Sequence, residues 1–212
     1  MNSPVAPPRS RGRPPKARED LLATREQLLR TGLEVLTEKG FSIAGLDEIL
    51  RRAGVPKGSF YHYFGSKEAF GEALITQYAD YFARKLERHL ANAALAPLER
   101  LRALIADLQA GMARHDFRRG CLVGNLGQEA GSLPQHFHAR LEAVFADWQA
   151  RVARCLLAAR EAGEIPPASD CEALAAFFWI GWEGAVMRAR LGRHATPLEL
   201  FSRQFFAGLR AG

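Results

Sequence analysis

Apolar residues recur three and four positions apart along almost the whole chain, and no stretch shows the two-residue alternation of a half-buried strand, so the expected class is all-α. From Asp20 to Lys39, Leu22, Leu29, Leu33 and Leu36 fall on one face, and Gly40 ends the helix. Leu46, Ile49, Leu50 and Ala53 form a second, shorter apolar face. Gly54 tolerates the left-handed conformation just past a helix end, and Pro56 suits the opening of the next helix, so residues 45–64 predict helix, tight turn, helix. The third helix, about Pro56 to Tyr63, is small at its start (Gly58, Ser59) and aromatic at its end (Phe60, Tyr61, Tyr63, Phe64).

Ser66 is a good N-cap with Glu68 behind it, opening a long helix from Lys67 to about Leu90. Pro97 opens another, to about Arg114. The stretch FRRGCLVGNLGQEAGSL, from Phe117 to Leu133, holds four glycines among apolar residues and predicts broken or closely packed short helices. Pro134 then opens a long amphipathic helix to about Ala162, with Phe137, Leu141, Val144, Phe145, Trp148 and Val152 inward and Gly163 at its end. Ser169-x-x-Glu172 and Thr196-Pro197-x-Glu199 have the form of capping boxes, starting the last two helices near Asp170 and Pro197. In the first of these, Phe177, Phe178, Trp179, Ile180, Trp182, Val186 and Met187 surround the axis almost completely. Such a helix is covered on more than one side, and Gly181 and Gly184 allow close approach. The total is about nine helices.

Charge sharpens this picture. Of the formal net charge of +6, half lies in the first twenty residues, where five basic residues face two acidic ones. The opening segment is rich in Pro and Arg, which predicts a disordered basic arm over residues 1–19 and a polyanionic partner. Within it, Arg11-Gly12-Arg13-Pro14 matches the AT-hook core, in which Arg11 and Arg13 enter a narrow minor groove. A plain basic tail touching phosphates is the simpler reading. The three cysteines are odd in number and lack metal-ligand spacing, so a reducing, cytoplasmic setting is expected, with no disulfide framework, metal site or cofactor. No run is apolar enough to suggest a membrane span.

The third helix has the features of a recognition helix: Lys57, Gly58 and Ser59 at its start bring free N–H groups and the positive dipole end close to a polyanion. Lys57, Ser59, Tyr61 and His62 are the candidates for the groove, Tyr61 and Lys67 for phosphates, and Phe60 and Phe64 for holding the helix down. VPKGSFYHYFGSKEAF following DEILRRAG closely resembles the helix-turn-helix of the TetR family of transcriptional repressors, and the resemblance extends back to about Glu26. It implies a three-helix DNA-binding domain over residues 20–68. It also implies a helical effector-binding and dimerisation domain over residues 69–212, whose last two helices form a four-helix bundle with a second copy. Such a homodimer presents two reading heads to a palindromic operator in double-stranded DNA.

RRGCLVGNLGQE and FWIGWEGAVMRARL, with the earlier LTEKGF, resemble the subgroup of that family whose repressors respond to acrylate in dimethylsulfoniopropionate catabolism. The implied effector is acrylate or another small carboxylate or electrophile. A carboxylate needs donors inside an otherwise apolar pocket; Arg118, Arg119, Asn125, Trp179, Trp182 and Arg188 are candidates, and Trp148, Cys121 and Glu183 lie in the same stretches. Each has a plainer reading. Arg118 and Arg119 fit a solvated surface, and the tryptophans fit a core. Glu183 fits a surface position or a buried pair with an arginine. Cys121 is either a small buried hydrophobe or, beside Arg118 and Arg119 and near a helix start, a thiol of lowered pKa open to electrophiles. An enzyme using Cys121 with His115 or His136 lacks a third orienting group, so no catalysis is expected. An architectural DNA binder using only its arm is the other rival.

Overall fold

The computed structural model describes residues 18–209, so Arg11, Arg13 and the rest of the arm up to residue 17 lie outside the described residues. Among the described residues there are nine α-helices, one 3₁₀ turn and no strand. The first three are α1 (Arg18–Lys39), α2 (Leu46–Ala53) and α3 (Lys57–Phe64). Gly54 closes α2 in the left-handed region at φ 64°, with its N–H directed at the carbonyls of Leu50 and Arg51, as a C-terminal glycine should. Burial along α1 begins only at Leu28, and Leu22 is 55 % exposed, which corrects the expectation that it shares the buried face of Leu29 and Leu36.

The remaining helices are α4 (Lys67–Leu90), α5 (Pro97–Ala113), α6 (Leu122–Gln128), α7 (Gln135–Glu161), α8 (Cys171–Gly192) and α9 (Thr196–Gly208), with the 3₁₀ turn at Ala130–Ser132. Ser66 caps α4 by accepting from the Ala69 amide at 3.0 Å. The two expected capping boxes do not form. At α8 the cap is Asp170, one residue later than Ser169, because its carboxylate accepts from the Ala173 amide at 3.0 Å. At α9, Thr196 is already helical and no side chain caps the start.

α4, α7 and α8 meet in an aromatic core in which Trp148 lies 4.3 Å from Phe82 and 5.0 Å from Trp179, centroid to centroid. α9 packs on α8 through Phe178, Phe201 and Phe205, and Gly181 makes room for the Phe201 ring. The covering of α8 is incomplete within one chain. Phe177, Ile180, Met187 and Leu191 are exposed along one stripe, Ile180 by 71 % and Leu191 by 79 %, and among the described residues no other element comes within 4 Å of where a Gly184 Cβ would stand.

Candidate reading head and effector cavity

α3 is held from behind by aromatic contacts. Phe60 and Phe64 are buried, and each ring meets Phe70 of α4, at 5.3 and 4.8 Å. The opposite face carries Lys57, Tyr61 and His62 exposed and Ser59 half-buried, the residues expected to reach a groove. Among the described residues, outside its own stretch of helix, no atom stands within 4 Å of the place a Gly58 Cβ would occupy, so the start of α3 is open there. Lys57 Nζ is 3.2 Å from Asp47 Oδ1, an exposed pair easily exchanged for a phosphate. Lys67, expected on a phosphate, is engaged within the chain in this structure. Its ammonium donates to the Phe41 carbonyl at 2.8 Å and lies 4.6 Å from the Phe41 ring centroid, and the burial this entails lowers its pKa.

A cavity of about 240 Å³ opens between the reading head and the larger helical part. α1 contributes Leu33 and Thr37, α4 contributes Tyr78, Phe82 and Lys85, the α5–α6 connection contributes His115, Arg119 and Cys121, and α8 contributes Trp182 and Glu183. Its size is below the roughly 300–1,000 Å³ of pockets for drug-sized ligands. Three cationic side chains line it, Lys85, Arg114 and Arg119. Lys85, itself buried, pairs with Asp107 at 3.1 Å. Burial alone would raise the Asp107 pKa, but hydrogen bonds from His89 and Lys85 overcome it and hold the carboxyl at about 2. Arg119 donates through Nε to Thr37 Oγ1 at 2.9 Å.

The other wall carries a buried carboxyl group. Burial lifts Glu183 to about pKa 7, and its Oε1 is sealed from solvent with no hydrogen-bond partner among the described residues. The arginine partner expected for it is absent there; instead the carboxyl lies over Gly124, where a Cβ would overlap it, beside the Cys121 thiol. Cys121 Sγ accepts from the Gly124 amide at 3.4 Å at the start of α6. Its pKa is nevertheless raised, first by burial and then by the charge of Glu183, so the expectation of a lowered thiol pKa is corrected. Arg118 does not help to lower it, because it lines a separate surface depression with Asp116, Phe117 and Arg193.

Of the ligand candidates, then, Arg119, Cys121, Trp182 and Glu183 line the cavity and Arg118 does not. Trp148 and Trp179 belong to the aromatic core behind it, with indole N–H groups that lack partners among the described residues. Asn125 faces the end of α1 instead. Its Nδ2 donates to the Thr37 carbonyl at 3.0 Å, and its Oδ1 accepts from Arg190 at 3.0 Å. Arg190 also donates to the Glu38 carbonyl, and the Gly120 amide donates to the Thr37 carbonyl at 3.1 Å. Glu129 completes the grip, accepting from the amides of Phe41 at 2.9 Å and Ser42 at 2.7 Å. Gly40, at φ 87°, stands where a Cβ would overlap the Glu129 carboxylate. The last turn of α1 is thus held by α6 and α8 next to the cavity wall.

Sequence comparison bears directly on this arrangement. Residues 28–74 match the family described as bacterial regulatory proteins, tetR family, and residues 97–205 match the tetracyclin repressor-like C-terminal domain. The chain belongs to the TetR family of transcriptional regulators. It is 51 % identical over 202 residues to the transcriptional regulator AcuR of Cereibacter sphaeroides, covering 95 % of this chain and 92 % of the relative. It is 31 % identical over 185 residues to the HTH-type transcriptional repressor DhaR of Mycobacterium sp. (strain GP1), covering 87 % and 91 %. Among solved structures, the regulatory protein TetR from Rhodobacter sphaeroides superposes with a TM-score of 0.86 at 53 % identity, covering 87 % of this chain and 97 % of that one. The reduced form of E. coli NemR superposes with a TM-score of 0.79 at 30 % identity, covering 86 % and 95 %. α2, α3 and the start of α4 fall within the stretch that matches the tetR family.

Proposed function

We propose that the protein is a ligand-released transcriptional repressor that binds a palindromic operator as a homodimer. Its effector is a small carboxylate or electrophile of the acrylate type. The observation that carries this reading is the shared wall: Thr37 in the last turn of α1 lines the cavity, and Arg119, Gly120 and Asn125 grip the same residue from the effector side. A guest pressing on Arg119 therefore acts on the support of the reading head. The exposed stripe on α8, with Leu200 exposed on α9, supports dimerisation through the last two helices of each copy. Residues 20–68 form the head, with Lys57, Ser59, Tyr61 and His62 in the groove. Residues 69–212 form the effector and dimerisation unit, and Arg11 and Arg13 of the arm enter the minor groove. A coupling of about 1–3 kcal/mol, roughly 5–150-fold in operator affinity, is enough for a switch.

The test is binding of the purified protein to its own upstream DNA, titrated with acrylate, propionate, acrylamide and lactate. Release by acrylate at concentrations that leave lactate inert supports the proposal; release by none of the panel rejects the effector class. Deleting residues 1–16 should leave weaker but operator-specific binding, whereas an architectural binder would lose all of it. The place of Cys121 in the cavity favours one second reading, addition of the thiol S–H across the double bond of an electrophile. A mass increase of one acrylate, absent in Cys121→Ala, would establish that route. No catalytic turnover is proposed.

A further inference from the structure

Glu183 is an unusual group to find in the wall of a site for an anion. Its place is built for it: Gly124 has no Cβ, and one there would overlap Oε2. Its Oε1 is buried and unpartnered among the described residues. The groups that face it are the Cys121 thiol from the start of α6 and the Tyr78 hydroxyl from α4, which also interacts with Cys121. Lys85, Arg114, Arg119 and His115 line the same cavity, with Lys85 also paired with Asp107 at 3.1 Å and Arg119 Nε bonded to Thr37. From α7 and α9, packed along the rest of α8, no charged group acts on it among the described residues. A carboxylate so placed is costly when ionised, and its Oε1 has no hydrogen-bond partner among the described residues.

We propose that Glu183 is a specificity-determining group of the effector cavity, donating a hydrogen bond in its neutral form to the carboxylate of a small monocarboxylate whose charge Lys85 and Arg119 balance. The inference rests on the effector reading above and adds to it that the anion binds together with a proton. Two carboxylates in one low-dielectric site cannot both stay ionised, so a shared proton is the stable arrangement. Burial already brings Glu183 to about pKa 7 in the empty cavity, and a bound anion raises it further. Above neutrality each effector molecule therefore takes up close to one proton, and its affinity falls about tenfold per pH unit. A neutral amide of the same shape has no such dependence.

Calorimetry on the full-length protein decides the matter, with sodium acrylate as the probe between about pH 6 and pH 8.5, in pairs of buffers differing in ionisation enthalpy. The expected result is uptake approaching one proton per acrylate at the alkaline end, a falling affinity there, and a flat profile for acrylamide. Glu183→Gln keeps a donor but cannot titrate, so uptake should vanish and the acrylate profile should flatten. Acrylate binding without proton uptake, or an unchanged slope in Glu183→Gln, overturns the proposal. Should Glu183→Gln fail to fold, the buffer pairs on the wild-type protein decide alone. Absence of acrylate binding at every pH sinks the effector reading itself, and this inference with it.

Discussion

Glu129→Ala removes the contact by which the α6 region holds the loop after α1. The carboxylate accepts from two backbone amides, Phe41 at 2.9 Å and Ser42 at 2.7 Å, across 88 and 87 residues of sequence. Hydrogen bonds to a charged group are each worth about 1.5–3 kcal/mol when the orphaned partner stays dry. Phe41 is buried and its amide would lose its partner, whereas Ser42 is exposed and water replaces the carboxylate there. The expected cost is therefore about 2 kcal/mol, nearer one full bond than two. For a chain of this size that corresponds to roughly 4–8 °C in Tm by differential scanning calorimetry. The structure offers an internal control in Gly40. Gly40→Ala suffers both its φ of 87° and overlap with the Glu129 carboxylate, so in the Glu129→Ala background only the first penalty remains. A double-mutant cycle should show coupling of about 0.5–3 kcal/mol between the two sites. An unshifted Tm in Glu129→Ala, or strict additivity with Gly40→Ala, would refute the reasoning.

Three further outcomes follow from the same geometry. Glu183 has a native pKa near 7 against an ordinary 4.5, so its contribution is fully present below about pH 4.5 and is lost as pH rises through about 7. Urea midpoints for the ligand-free wild type should therefore decline relative to Glu183→Gln across that window, by up to about 3 kcal/mol; parallel curves would contradict the burial argument. Lys57→Ala with Tyr61→Ala should weaken operator binding in fluorescence anisotropy while Tm moves little, because both side chains are exposed. Ile180→Asp places a charge in the middle of the exposed α8 stripe and should shift the protein to a monomer in sedimentation velocity, with loss of operator affinity.

Local signals explain which parts were legible in the sequence. Gly54, Pro56 and Ser66 act through backbone conformation within a few residues, so the helix-turn-helix and the start of α4 follow from reading along the chain. The capping boxes failed because a pattern of residue types does not say which neighbour wins: Asp170 stood next to Ser169 and was the better acceptor. Tyr78, Phe82 and Lys85 share one face of α4 at helical spacing, a signal that could have placed Lys85 in the cavity. The contacts of Glu129 with Phe41 and of Arg190 with Glu38 join residues 88 and 152 positions apart, and no local pattern carries them. Arg118 and Arg119 show the limit most plainly: neighbours in sequence, they line different depressions, and only the fold decides which one reaches the cavity.

The central claim is that a guest in the cavity moves one reading head relative to the other. All three native cysteines are buried, so a single surface cysteine such as Arg51→Cys on α2 takes a spin label selectively. The distance between the two labels of a dimer, measured by pulsed electron resonance with and without acrylate, tests the claim directly. The account predicts a changed head separation at the acrylate concentration that frees the operator. Superimposable distance distributions at a concentration that does free it would contradict the account.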